Sequence, residues 1–160
     1  MKKILLRIDA GADKVCNIPN PTTGLEAKFS LRQTVAMALN GVDTAALDSY
    51  SDAVTQEPRM KALRDKVSIE FKPNWEHSLA EMAIQLDDGT TIEASHDSGI
   101  PWADVGKQRQ AIEAKYESLV TPILGAAGAK RLHDAIERID GLADVGELAR
   151  ASAPSQVGKA

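Results

Sequence analysis

The stretch from Gly24 to Gly41, GLEAKFSLRQTVAMALNG, contains signals for both ends of a helix. Ser30 is a good N-cap because its hydroxyl can accept a hydrogen bond from a free backbone N–H, and Gln33 completes an S-x-x-Q capping box. An apolar stripe at helical spacing follows, formed by Leu31, Val35, Ala38 and Leu39. Glycine tolerates the left-handed backbone that ends many helices, so Gly41 is the expected stop. The stretch therefore predicts a loop that leads into a helix.

Alternating apolar and polar residues predict β-strands elsewhere in the chain. The predicted strands are 3–9, 67–72, 80–87 and 90–96. Asp88-Gly89 predicts a two-residue type I′ turn between the last two, with Ile92 and Ala94 facing the core. We therefore expect an α+β fold, in which helices cover one mainly antiparallel sheet of about four strands.

The remaining helices are predicted from caps, breakers and apolar spacing. Pro58 suits the first turn of a helix over 57–64, and Asp104 suits the N-cap of the next one. The inward residues are expected to be Met60 and Leu63, then Val105, Arg109, Ile112, Tyr116 and Leu119, then Ala129, Leu132, Ile136 and Ile139. Pro122 and Gly125 should interrupt the helical pattern, and Asp144 with Glu147 predicts a second capping box. The segment 10–23 is predicted to be a loop, residues 1–150 one domain and residues 151–160 a flexible tail.

Composition excludes several classes of protein. The 160 residues have a net charge of -4, which argues against nucleic-acid binding because phosphate contacts need clustered Lys and Arg. Cys16 is the single cysteine, so no disulfide forms within the chain and a cytoplasmic setting is expected. No apolar run of about 18 residues exists, so no membrane span is predicted. The three histidines, His77, His96 and His133, are too far apart to match a metal motif, and no cofactor motif is present.

Two cations flank the start of the central helix. Lys28 and Arg32 lie where free backbone N–H groups and the helix dipole already favour anions, so a di- or tricarboxylate would be stabilised there. The alternative is that both cations are solvated, or that Lys28 pairs with Glu26. A second candidate is His96 beside Asp97, because histidine is a residue type that can act as a general base near neutral pH. An exposed histidine at a strand end is the preferred interpretation.

An ordered set of segments resembles the C-terminal domain of the MmgE/PrpD family. The segments are PTTGLEAKFSL, EPRMKALRDKVSIE, IQLDDGTTIE, HDSGIPWADVGKQ and LGAAGAKRLHDAIERIDGLADVGEL. The resemblance spans residues 4–148, nearly the whole chain. The family includes 2-methylcitrate dehydratase and cis-aconitate decarboxylase, which eliminate water or carbon dioxide from substrates with several carboxylates.

The resemblance implies a lyase that uses no metal or cofactor and belongs to propionate catabolism. In the family, most catalytic groups lie in a helical N-terminal domain, and a Lys and a His lie just upstream of the first strand seen here. This chain is therefore expected to be a lid or interface domain, present as a fragment, a truncated reading frame or a split subunit. Its expected partners are a helical domain or subunit, a polycarboxylate and a second copy in a homodimer. The alternative is a stand-alone, non-catalytic binding or interaction domain that kept the fold.

The resemblance also bears on the site residues. Many family members have a pocket-facing tyrosine where this chain has Gln33, whose amide can donate to a carboxylate but cannot act as an acid or base. The capping box is the other role open to Gln33. The predicted substrate-binding residues are Lys28, Ser30, Arg32 and Gln33, and no residue of this chain is assigned as catalytic.

Overall fold

The structure is a computed structural model that describes residues 1–154. It divides into two compact units, Met1–Ala103 and Asp104–Ala160. The single domain predicted for residues 1–150 stays a prediction. Most of the predicted tail, 155–160, lies outside the described residues, but residues 151 and 152 belong to a helix.

One four-stranded sheet forms the centre of the first unit. Its strands are β1 (Lys3–Asp9), β2 (Val67–Lys72), β3 (Leu79–Gln85) and β4 (Thr91–Asp97), in the order β2-β1-β3-β4. β1 pairs with β2 in parallel, with Ile4 opposite Val67, and the other two pairs are antiparallel. The helical segment between β1 and β2 provides the crossover that a parallel pair requires. The predicted α+β fold with a mainly antiparallel sheet is confirmed.

Short helices fill the connection between β1 and β2. They are α1 (Asp13–Cys16), α2 (Gly24–Ala27), α3 (Leu31–Leu39), α4 (Asp52–Gln56) and α5 (Pro58–Arg64), with 3-10 turns at Ala10–Ala12 and Leu47–Ser49. The predicted helices at α3 and α5 are confirmed, and Pro58 occupies the first turn of α5. The prediction of a plain loop over 10–23 is wrong, because α1 and a 3-10 turn form there.

Helix α3 packs against both β2 and α5, so it buries two faces. Val35 joins Ile4, Leu6 and Val67 in one core cluster, with Leu31 and Leu39 packed at its edge. Ala36, Met37 and Met60 form a second cluster. The prediction that Ala38 belongs to the buried stripe is wrong, since that side chain is exposed.

The β3–β4 hairpin differs from its prediction in turn type and in burial. The Leu86 N–H donates to the Thr90 carbonyl at 2.8 Å, which closes a three-residue loop. Gly89 has φ of 89°, but Asp88 does not have positive φ, and a type I′ turn needs both. Ile92 and Ala94 are exposed rather than in the core, because α3 and α5 pack near β1 and β2 while β4 is the far edge of the sheet.

The second unit contains α6 (Val105–Glu137), a 3-10 turn at Ile139–Gly141 and α7 (Gly146–Ser152). Asp104 caps α6 by accepting from the Lys107 N–H at 3.0 Å, as predicted. The helical path breaks at Gly125, with φ of 68° and ψ of 165°, as predicted. The predicted interruption at Pro122 is wrong, because Pro122 keeps helical backbone angles within α6. Segments 105–124 and 126–137 run antiparallel, since Arg109 pairs with Glu137 at 2.8 Å and the Tyr116 hydroxyl donates to the Ala129 carbonyl at 2.7 Å.

The inward faces predicted for this unit are partly wrong. Leu132 and Ala129 are buried, and Tyr116 and Leu119 are half-buried. The predicted core residues that are instead exposed are Val105, Arg109, Ile112, Ile136 and Ile139. The two helical segments leave an open groove of about 380 Å³, which keeps the side chains of Val105, Ile112 and Ile136 accessible. The capping box at Asp144 is also wrong, because its carboxylate accepts from Gly146 and Arg150.

Candidate functional site

The predicted site lies at the start of α3, and another helix N-cap precedes it in the chain, at the start of α2. The Thr23 hydroxyl accepts from the Glu26 N–H at 3.2 Å, and the Glu26 carboxylate accepts from the Thr23 N–H at 3.3 Å, which makes a complete capping box. The Thr22 N–H also donates to Glu26 at 2.6 Å, and this bond holds the pKa of Glu26 below its usual value. Because these threonines hold the carboxylate, Lys28 does not pair with it.

Ser30 and Gln33 are both buried at the start of α3. The Ser30 hydroxyl accepts from the Gln33 N–H at 3.3 Å, so the predicted N-cap is confirmed. The Gln33 side chain does not return to the cap, so the second half of the predicted capping box is wrong. Its Oε1 instead accepts from Nη1 of Arg64 at 3.0 Å, which links α3 to α5.

Arg64 is the residue of this region that the sequence reasoning missed. Only 5% of it is exposed, and its Nη1 also contacts the Pro21 carbonyl at 3.4 Å. Arg64 Nε and Gln33 Nε2 are both buried without a hydrogen-bond partner among the described residues. Arg64 follows the buried Met60 by four residues, so the helical period was the signal that placed it on the inner face.

The two predicted surface cations have different neighbours. Lys28 is exposed, and its ammonium lies 5.7 Å from the centre of the Tyr50 ring. Arg32 is half-buried and donates from Nη1 to the Asn17 amide oxygen at 2.5 Å. The structure therefore separates the predicted residues into two surface cations, Lys28 and Arg32, and two buried side chains, Ser30 and Gln33.

A carboxylate–imidazole pair lies at the end of β1. The Gly11 N–H donates to Asp9 at 2.8 Å and lowers the pKa of this buried carboxyl, and His77, whose Nδ1 is 2.7 Å away, acts in the same direction. His77 itself is exposed. No local sequence pattern indicates this pair, because 68 residues separate its members.

His96 lies opposite Ala80 near the end of β4 and is exposed, in agreement with the preferred interpretation of a surface histidine. The neighbouring carboxylate of Asp97 bonds to the Ser78 hydroxyl and accepts from the Gly99 N–H at 2.8 Å, and both bonds lower its pKa. Asp97 thus fixes the turn that leaves the sheet.

Within residues 1–154, no group of three or more His, Cys, Asp or Glu side chains is arranged to hold a metal ion. The same residues contain no helix that is both long enough and apolar enough to cross a membrane. Cys16 is a half-buried free thiol.

The first unit is thus a helix-covered sheet with two surface cations, Lys28 and Arg32, beside the first turn of α3. The sequence profile of the MmgE/PrpD C-terminal domain matches residues 1–141. The chain therefore belongs to the MmgE/PrpD family. No curated protein matches this sequence.

Proposed function

We propose that this chain is the lid or interface domain of a lyase that acts on a polycarboxylate, with dehydration of 2-methylcitrate as the first reaction to test. The match to the C-terminal domain of the family over residues 1–141 is the observation that carries the proposal. In this proposal a helical N-terminal domain or subunit supplies the acid and base, and the present chain supplies one wall of the pocket. The reaction is proposed to need no metal or cofactor and to take place in the cytoplasm.

Lys28 and Arg32 are the proposed contacts to the substrate carboxylates. Both side chains reach the surface beside the first turn of α3, where the helix dipole favours negative charge. Ser30 and Gln33 are buried, so we assign them to holding the helix start rather than to direct contact with the substrate. This division gives the four predicted residues two roles, substrate contact for two of them and support of the helix start for the other two.

The test pairs this chain with an MmgE/PrpD helical domain encoded in the same genome and follows conversion of 2-methylcitrate and cis-aconitate. Lys28→Ala and Arg32→Ala should each raise KM by about tenfold or more, since a charge-assisted hydrogen bond contributes about 1.5–3 kcal/mol. Lys61→Ala removes an exposed cation from α5 and serves as the matched control. Equal KM values for all three variants would show that Lys28 and Arg32 do not bind the substrate. No turnover with any helical domain would refute the lyase proposal.

The second candidate is a stand-alone binding domain without catalytic activity. One observation favours it: Gln33, at the position of the family's tyrosine, is turned inward and bonded to Arg64. Calorimetric titration of the isolated chain with citrate-type polycarboxylates separates the two functions. Binding by the chain alone, combined with no turnover in any pairing, would support the second candidate.

A further inference from the structure

Strand β4 is an edge of the sheet with one side unpaired. Within the described residues it pairs only with β3, and six of its seven residues are exposed. An unpaired edge presents a row of backbone N–H and C=O groups on which another strand can pair. The directions of those groups can be worked out from the β3–β4 register.

Two backbone bonds fix which residues of β4 face β3. The Leu86 N–H donates to the Thr90 carbonyl at 2.8 Å, and the Ser98 N–H donates to the Ser78 carbonyl at 3.0 Å. Hydrogen-bonded and non-hydrogen-bonded pairs alternate along an antiparallel ladder, so the even-numbered residues of β4 bond to β3. The outward N–H and C=O groups therefore belong to the odd-numbered residues, chiefly Thr91, Glu93 and Ser95.

This pattern suits one antiparallel pairing of β4 with a second copy of itself. A two-fold axis at Ala94 places Glu93 opposite Ser95 and Thr91 opposite Asp97, so every hydrogen-bonded pair joins two residues with outward groups. All seven residues overlap, and no like charges face each other directly. An axis at Glu93 would oppose two glutamates, and an axis at Ser95 would oppose Glu93 and Asp97. Like charges directly opposite destabilise a sheet.

The same pairing covers apolar surface. Ile92, which is 51% exposed, would lie opposite His96 of the second copy, and Ala94 would lie opposite Ala94. Residues opposite one another point to the same face of a sheet, so these side chains form one continuous patch across the axis. Ile92 and Ala94 are also the residues that the sequence predicted to face a core.

We propose that two copies of this chain associate by antiparallel pairing of β4 with β4 about a two-fold axis at Ala94. The two four-stranded sheets become one continuous sheet across the interface. The proposal is independent of the lyase function, because it depends only on the register of β4 and its edge position.

Cysteine pairing tests the register. In a Cys16→Ser background, Ala94→Cys should give a disulfide-linked dimer on mild oxidation, since Cα atoms of a non-hydrogen-bonded pair lie about 4.5 Å apart, within disulfide range. Glu93→Cys and Ser95→Cys should crosslink only when the two variants are mixed. Thr44→Cys, in an exposed loop, measures random crosslinking. Crosslinking of Ala94→Cys no faster than that of Thr44→Cys would overturn the proposal.

A proline variant tests the backbone contact. Ser95→Pro removes one outward N–H and leaves the bonds to β3 in place, because proline is tolerated where the N–H faces away from the ladder. Light scattering should show a dimer for the wild-type chain and for Ser95→Ala, and at least a tenfold weaker dimer for Ser95→Pro. A monomeric wild-type chain, or equal dimer fractions in the two variants, would refute the interface. If Ser95→Pro does not fold, the cysteine pairs decide.

Discussion

Nη1 of Arg64 donates to Oε1 of Gln33 at 3.0 Å, and this bond joins two buried side chains on α5 and α3. The guanidinium has no ion-pair partner among the described residues, and its acceptors are the neutral amide of Gln33 and the Pro21 carbonyl. The family resemblance implies a pocket-facing tyrosine at position 33. In this chain that position instead anchors two helices to each other.

Arg64→Met should destabilise the fold by about 1–3 kcal/mol, because it leaves Oε1 of Gln33 buried without a donor. Gln33→Leu should also destabilise it, since a buried guanidinium then loses its amide partner. The double variant should cost less than the sum of the two single variants, because it removes both polar partners together. Urea unfolding measures all three free energies.

The control for this cycle is Arg59→Met, which removes an exposed arginine of the same helix, ion-paired to Glu57 at 2.9 Å. An exposed pair of this kind contributes about 0–1 kcal/mol, so the control should stay close to wild type. If the losses of unfolding free energy in Arg64→Met and Gln33→Leu add up to the loss in the double variant, the two side chains do not interact.

Asp9 should make the fold sensitive to acid. The Gly11 N–H and then His77 lower the pKa of Asp9 in the folded state, so its carboxylate contributes stability above its unfolded pKa, and this is lost as pH falls through the folded pKa. Asp9→Asn should therefore flatten the decline in unfolding free energy between about pH 5 and pH 2. Asp48→Asn, at an exposed site, should leave the wild-type slope in place. If the unfolding free energy of wild type and of Asp9→Asn falls equally steeply with decreasing pH, Asp9 is not the source of the acid sensitivity.

The sequence predicted the features that depend on neighbouring residues. The N-cap at Ser30, the helix start at Pro58, the cap at Asp104 and the break at Gly125 each follow from the backbone chemistry of a few adjacent positions. Period-two alternation likewise located all four strands. Such signals are local, so one sequence is enough to detect them.

The sequence did not predict features that depend on distant packing. Gln33 bonds to a residue 31 positions away, and Asp9 to one 68 positions away, so no local pattern records either contact. Ile92 fits the alternating pattern of a strand, but it lies on the edge strand β4, which the helices do not cover. Alternation assigns a side chain to a face of the sheet, and only the strand order shows whether that face is covered there.

The phenols of Tyr50 and Tyr116 should ionise at a higher pH in the folded protein than in the unfolded chain. Burial raises the pKa of both Tyr50 and Tyr116, with Asp43 adding to the effect at Tyr50 and Glu117 at Tyr116. Their contribution to stability is present below the unfolded pKa of about 10 and is lost as pH rises through the folded pKa. Absorbance titration should show both phenols ionising above the values of the urea-unfolded chain, with Tyr50→Phe and Tyr116→Phe assigning each step. Coincident folded and unfolded curves would refute the prediction.

Gly24 should not tolerate a side chain. A Cβ atom there would lie 1.9 Å from the Tyr50 carbonyl oxygen, so the backbones of α2 and the segment before α4 would have to separate. We expect Gly24→Ala to cost about 4 kcal/mol or more, in the range that prevents stable folding. Gly141→Ala is the control, since its added Cβ would meet nothing within 4 Å. A Gly24→Ala variant as stable as this control would show that the contact relaxes freely.

The groove of the second unit should bind apolar dyes. Val105 and Ile112 are 71% and 61% exposed and line the groove with Ile136, and apolar patches of this kind mark surfaces that meet a partner. Ile112→Ser should lower the fluorescence of a bound apolar dye with little change in unfolding free energy, because the side chain has little burial to lose. Leu132→Ser, at a buried site on segment 126–137, should instead destabilise the unit. If wild type and Ile112→Ser bind the dye equally, the groove is not the accessible apolar surface.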